Sequence, residues 1–454
     1  MSAVLRIPQP IYERTAAHLL TSPGEHFAFF HARVDRAGSE LVFTALEATL
    51  VPDECVRLGE HGYDLDEDYL LSVINVAVRD GRALVEAHNH GGPLPRFSSL
   101  DLDQMAEFVP YVIDSLDGRP YGATVWGDRT ISGCCYERAE LPQDLRSVCV
   151  IGESLRQLVS RDDDLRGAHE RFDRQIPWFT PAGQRQLARL RVAVAGAGGT
   201  GSPLALELGY LGVRDFVLID PDRSDETSMN RLMSADAADI DTPKAILARR
   251  RVLNVAPDAR VIAIETDLRS STALDALKTA DVIFGCVDND GARLVLNELA
   301  VAHGIPYFDI GVGIDARDGK VSEAGGQLAV VLPGGPCLLC MGLLDAGEAA
   351  YILSSPEQQR IARARGYVTG LDTPAPAVVS LNTTLASLAV SELAVYLSGL
   401  RPVNPLTVLD LLGIGRTPGQ WVVAERVDST ERCVHCAQAD TGDEADVARY
   451  GRPR

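Results

Sequence analysis

Two histidines separated by one residue, His88 and His90, are followed after seven residues by Ser98 and then by Asp101. Imidazole nitrogen and carboxylate oxygen are the ligands zinc takes in hydrolytic sites, where three protein groups bind and the fourth position is left to water. On an extended segment, side chains two residues apart leave from the same face, so both rings can reach one ion. Asp101, at the start of a helix, can supply the third ligand, and Ser98 falls between. A bound water needs a base to take its proton, and Glu25, after a helix and just before a strand, is the candidate. Glu40, Glu47 and Glu86 are further carboxylates that could be read as bases. A histidine pair in the glycine-rich stretch HNHGG also suits an ordinary hydrogen-bonded turn; the downstream serine and aspartate favour the metal.

A second set begins at GAGGTG, Gly196 to Gly201, which follows the short apolar stretch RVAVA and precedes the helical LALELGYLG. Backbone N–H groups at such a strand-to-helix turn bind phosphate. The same fingerprint serves NAD dehydrogenases, with Asp220 as a ribose ligand. Further on stand Asp222, the pair Asn230 and Arg231, Lys244 and Asp288, polar groups at strand ends or in loops. An NAD site has no evident need of them. Adenylyl transfer does: cations stabilise charge on the departing pyrophosphate, and a carboxylate holds Mg2+. Cys337 and Cys340, with Cys433 and Cys436, form two CxxC pairs, the makeup of a closed tetrahedral zinc site. Cys55, Cys134, Cys135, Cys149 and Cys286 lie in or beside apolar stretches and read as core thiols.

The patterning around these residues predicts the elements that hold them. IYERTAAHLLTS reads as an amphipathic helix, HFAFFHARV and ELVFTALEATLV as strands, and DEDYLLSVINVAVRDG as a helix stopped by Gly81. RALVEAHNH is a strand ending in the two histidines, followed by the helix SLDLDQMAEFVPYVIDSL and the strand YGATVWG. These define a mixed α/β domain over residues 1–150. A charged helical connector is expected over 151–164, with RFDRQ, Arg171 to Gln175, continuing it. Strands VAVAG, FVLID, RVIAIE, DVIFGCV and PYFDIGV alternate with helices over 165–440, the pattern of a doubly wound, mostly parallel sheet. The polar tail 441–454 is expected to fray.

Composition sets outer bounds. With 454 residues, 46% hydrophobic and 23% charged, the chain has room for two or three domains. Its formal charge of −20, without a basic cluster interleaved with aromatics, argues against nucleic acid as a partner. No apolar run has the length of a membrane span and the N-terminus lacks a signal-peptide core, so a cytoplasmic protein is expected. Nine cysteines then point to metal or buried thiols rather than disulfides.

The His88, His90, Ser98 and Asp101 arrangement, with Glu25 upstream, resembles the JAB/MPN (JAMM) metalloproteases over residues 1–150. The resemblance implies zinc on the histidines and Asp101, water activation by Glu25, oxyanion stabilisation by Ser98, and removal of ubiquitin or ubiquitin-like proteins from precursors or conjugates. Residues 165–436 resemble the MoeB/ThiF and ubiquitin-activating adenylyltransferases. That resemblance implies ATP held by Gly196, Gly198, Gly199, Gly201, Asp220 and Asp222, with Asn230, Arg231 and Lys244 at the phosphates and Mg2+ on Asp288. It further implies a homodimer in which Arg174 reaches into the partner subunit's site, and structural zinc on the four paired cysteines. Ser228, in TSMNRL, stands where that family usually has asparagine and removes an amide donor.

Residues 341–432 contain no cysteine, where ubiquitin-activating enzymes carry their nucleophile. The acyl-adenylate is therefore released or transferred directly, attacked by sulfur or another nucleophile, or passed to a serine or threonine. The expected function is adenylation of the C-terminal glycine of a ubiquitin-like protein, coupled to processing or removal of that protein by the first domain, with a conjugating-enzyme-like partner. Two alternatives stand beside it. One is sulfur-carrier activation for thiocarboxylate biosynthesis, the first domain releasing a small product; the other is a first domain that only docks the ubiquitin-like protein.

Overall fold

The computed structural model describes residues 2–21, 24–59, 62–90, 95–138, 142–159, 170–317, 320–364, 376–412, 422–425, 433–439, 441–445 and 447. Contacts divide the chain into two units, Met1–His169 and Glu170–Arg454. Among the described residues no helix is long and apolar enough to cross a membrane.

The first unit contains β1 (Ala3–Pro8), α1 (Gln9–Leu20), β2 (Phe27–Ala37), β3 (Glu40–Leu50), the hairpin β4 (Val56–Gly59) and β5 (Gly62–Leu65), and α2 (Glu67–Arg79). It continues with β6 (Ala83–Asn89), α3 (Ser99–Ser115), β7 (Tyr121–Trp126), β8 (Ile131–Tyr136), β9 (Gln143–Ile151) and β10 (Leu155–Gln157). Eight strands form one sheet in the order β1-β3-β2-β6-β7-β8-β9-β10, and a further β1–β9 pairing closes it like a barrel. Strand β2 shows why HFAFFHARV is apolar nearly throughout. Ala28 and Phe30 pack in one core with Leu19 of α1, while Phe27 and Phe29 pack in another with Val73 of α2 and Val109 of α3. A strand covered on both faces needs no polar alternation.

Three expectations are corrected here. The region 151–164 is not a helical connector at its start: β10 runs antiparallel to β9, and Leu155, Leu158 and Val159 are buried. The dense run of charge that suggested a solvated helix starts at Arg161, and residues 160–169 lie outside the described residues. RFDRQ is likewise not helical throughout; a 3-10 turn over Glu170–Phe172 and a turn precede the next helix. The tail is partly folded, since Gly442–Ala445 form a 3-10 helix and Ala445 and Val447 are buried.

The second unit runs through α4 (Ile176–Arg189), β11 (Arg191–Ala195), α5 (Gly201–Leu211), β12 (Asp215–Ile219), α6 (Lys244–Val255), β13 (Arg260–Ile264), α7 (Ser271–Lys278) and β14 (Val282–Gly285). Then come α8 (Asp290–His303), β15 (Tyr307–Arg317), β16 (Lys320–Val331), α9 (Ala346–Leu353), α10 (Pro356–Ala364), α11 (Val379–Ser398), β17 (Leu406–Asp410) and β18 (Val422–Glu425). Its sheet has the order β13-β12-β11-β14-β15-β16-β17-β18. The first five strands are parallel and the last three pair antiparallel. The chain reverses its direction of travel across the sheet between β11 and β14, the switch point where doubly wound folds bind nucleotides.

Candidate functional site

In the first unit, β6 delivers His88 to the end of a buried ladder, paired with Phe27 of β2 and Val125 of β7. His88 is 3% exposed, and its Nδ1 meets Glu86 Oε1 at 3.0 Å. Glu86 in turn accepts the Tyr121 hydroxyl at 2.6 Å. With Nδ1 committed, Nε2 faces the Asp101 carboxylate at 3.9 Å and, though buried, finds no hydrogen-bond partner among the described residues. His90 Nε2 lies 3.2 Å from the same Asp101 oxygen. Ligand atoms of His88, His90 and Asp101 all fall within 4.8 Å of one another. A buried orphan imidazole nitrogen aimed at a carboxylate, its other nitrogen oriented by a second carboxylate, suits a zinc ligand set.

The remaining groups of this set are held by local geometry. Ser98 caps α3 in a reciprocal capping box: Asp101 N donates to Ser98 Oγ at 3.1 Å and Ser98 N to Asp101 Oδ2 at 2.5 Å. The serine oxygen accepts, so its proton stays available to donate. Glu25 lies beside the cluster. Its carboxyl is raised above the ordinary value, first by burial and then by Asp101, with His90 and His88 opposing. Of the other carboxylates, Glu40 pairs with Arg146 at 3.4 Å, Glu47 sits opposite His31 in the β2–β3 ladder, and Glu86 stands behind His88. Substituting Glu86 by alanine is expected to weaken zinc affinity by about 10- to 100-fold, as loss of an outer-shell partner does. Competition with a chromogenic chelator measures this, and an unchanged affinity would remove Glu86 from the site.

In the second unit, GAGGTG joins β11 to α5. Gly196 has φ +89°, and a side chain there would strike the Cys286 carbonyl at the end of β14. A side chain at Gly201 would meet the Gly196 carbonyl, and one at Gly199 the Asn382 amide and the Arg231 stem. Gly198 faces open space with no such neighbour, which leaves room for a ligand to approach its backbone. Thr200 caps α5 without a side-chain bond, and the first turn holds no acidic residue, so its N–H groups suit an anion.

Around the loop, the expected residues divide into anchors and free faces. Asp220 is buried and its two oxygens accept Ala197 N at 2.6 Å and Asp222 N at 2.8 Å, so it holds the loop's shape. Burial raises its carboxyl, with both backbone bonds, then Lys244, pulling it down. Asp222 is exposed and pairs with Lys244 Nζ at 2.9 Å, at the start of α6. Arg231 bonds Thr227 O at 2.7 Å and Asn230 Oδ1 at 3.2 Å. Ser228 does not point outward as a donor: its hydroxyl and N–H close a capping box with Asp225. Asp288 is exposed in the loop after β14, beside Asn289 Nδ2 at 3.3 Å. Arg174 is exposed in the turn before α4. Asn382 of α11, against Gly199, lies beside this loop and was not expected; it is a buried amide near the start of that helix.

The four paired cysteines converge. Cys337 and Cys433 sulfurs are 3.5 Å apart, Cys340 and Cys436 3.6 Å, and Cys337 and Cys340 3.9 Å. Zinc–sulfur bonds of ~2.3 Å in a tetrahedron place sulfurs ~3.8 Å apart, so the set fits that ion. Leu338 N donates to Asn297 Oδ1 at 2.9 Å, tying the first pair to α8.

Comparison with known proteins identifies the class. Residues 172–444 match the ThiF family, and the chain belongs to it. It is 31% identical over 161 residues to the SAMP-activating enzyme E1 of Haloferax volcanii and 32% over 180 residues to the sulfur carrier protein adenylyltransferase of Thermus thermophilus. It is also 31% identical over 208 residues to the sulfur carrier protein ThiS adenylyltransferase of Escherichia coli. These alignments cover 36%, 38% and 41% of this chain, and 56%, 63% and 82% of the relatives in the same order. The family match does not extend to the His88 cluster.

Proposed function

We propose that this chain uses ATP to adenylate the C-terminal carboxylate of a sulfur-carrier or ubiquitin-like protein, and that its N-terminal unit is a zinc hydrolase acting after the same glycine-ended tail. The observation carrying the first part is the GAGGTG turn at the switch point of a ThiF-family chain, with the Arg231 stem against Gly199 and with Asp222 and Lys244 linked to the loop through Asp220. A carboxylate oxygen attacks the α-phosphorus of ATP, the bond to the departing pyrophosphate breaks, and an acyl-adenylate remains. Gly196, its N–H bonded to Ile219 O at 2.8 Å, turns the chain so that phosphate oxygens reach the loop at Gly198, Gly199 and Gly201, and Arg231 and Lys244 offset charge on the leaving group. Asp288 holds the nucleotide's Mg2+, while Arg174 completes the site of a second copy in a homodimer.

The second part rests on the convergence of His88, His90 and Asp101 near Glu25, which supports the resemblance of these residues to a JAB/MPN site. When bound, zinc supplies an acidified water. Beside it, Glu25 would accept a proton and return it to the leaving amine, and Ser98 would donate to the oxyanion.

Two of the three relatives named above are sulfur-carrier adenylyltransferases, and the cysteines suit that reading. Cys134, Cys135 and Cys149 are buried and Cys286 half-buried. Burial pushes Cys134 and Cys135 up to about 12 and Cys286 higher still, leaving little thiolate. Incubated with ATP and a carrier protein, the chain is expected to form no reductant-sensitive adduct on a non-reducing gel. A band lost on mutating one cysteine would restore a thioester route.

A further inference from the structure

We infer that Asn89, the residue between the two candidate zinc ligands, is a positioning residue that holds Glu25 against the His88, His90 and Asp101 cluster; this rests on the hydrolytic reading above. On an extended segment Asn89 projects away from the face that carries His88 and His90. The β2–β6 ladder ends at Phe27 paired with His88, one step short of His26. The Asn89 side chain supplies the next rung. Its Oδ1 accepts His26 N at 2.8 Å and its Nδ2 donates to Gly24 O at 3.0 Å, with the residue 2% exposed. Both residues flanking Glu25 are therefore gripped by one amide.

The backbone around Glu25 needs such a grip. Gly24 has φ +115°, a region L side chains rarely adopt, so the chain bends immediately before Glu25. One further tie is weak: His26 Nδ1 reaches Asp53 at 3.2 Å, but that carboxylate is 80% exposed. Only a primary amide of this length offers an acceptor to His26 and a donor to Gly24. Aspartate keeps the first bond and loses the second; alanine loses both. A general base displaced by about 1 Å costs on the order of 100-fold in rate, so the grip acts on turnover rather than on metal binding.

The test uses the full chain loaded with Zn2+ and a peptide ending in Gly-Gly-aminomethylcoumarin as probe. Asn89→Ala is expected to keep the parent's zinc content, to lower kcat by about 10- to 100-fold and to leave KM nearly unchanged, with Asn89→Asp between the two. Adding Asn89→Ala to Glu25→Ala should cause no further loss, because residues acting as a unit are not additive. Additive losses would overturn the inference, since Asn89 would then act independently of Glu25. Hydrogen exchange over residues 24–29 gives a readout without substrate: exchange at least ~10-fold faster in Asn89→Ala supports the grip, and unchanged exchange overturns it. A parent protein that binds no zinc or leaves the peptide intact defeats the hydrolytic reading instead, and exchange alone then decides the grip.

Discussion

Replacing Glu25 by alanine is expected to leave one zinc at His88, His90 and Asp101 while slowing hydrolysis of a diglycine amide by about two to four orders of magnitude. The separation of binding from turnover follows from the geometry. The histidines and Asp101 bring their ligand atoms within 4.8 Å of one another without Glu25, and Glu86 orients His88 from behind. Glu25 has a different environment: its carboxyl is half-buried and raised by that burial, which suits a group that must accept a proton and return it. Metal analysis and steady-state kinetics on the same preparation decide the matter. Unchanged cleavage would remove Glu25 from the mechanism, and loss of zinc together with activity would make it a ligand.

The second large effect is expected at the other unit. Asp288→Ala should lower ATP–pyrophosphate exchange by about 100- to 1,000-fold, the range seen when one stabiliser of developing charge is removed from a preorganised site. Asp288 follows β14, the strand beside β11 across the switch point, the place where doubly wound folds open a crevice. Unlike Asp220, whose oxygens are taken by Ala197 and Asp222 backbone groups, it is exposed, with a weak side-chain neighbour in Asn289. Raising Mg2+ should recover part of the loss. Exchange at the parent's rate across all Mg2+ concentrations would take Asp288 out of the site.

What could be read from the sequence were the local patterns. RALVEAHNH and RVAVAGAGGTG carry apolar runs and punctuating glycines within single elements, and β6, β11 and α5 form where those runs predict. Non-local features were not legible. Strand β1 closes the first sheet by pairing in parallel with both β3 and β9, partners far apart in sequence, and nothing in Ala3–Pro8 alone announces them. Strand β10 was hidden by the charged stretch that follows it. Among the candidate bases, spacing could not separate Glu25 from Glu86. The fold sets Glu86 behind the His88 ring on its own strand and bends the chain at Gly24, just before Glu25, whose carboxyl feels His88, His90 and Asp101. Asn89 and Asn382 escaped notice for the same reason, because their amides act on segments 63 or more residues away.

The central claim is ATP-dependent activation of a glycine-terminated carrier protein. Isotope exchange between pyrophosphate and ATP, catalysed by the full chain with individual sulfur-carrier and ubiquitin-like proteins, measures it most directly. Exchange that depends on one such carrier, and disappears when that carrier's terminal glycine is deleted, is the predicted result. Exchange that is absent with every carrier, or that proceeds equally without its terminal glycine, would contradict it.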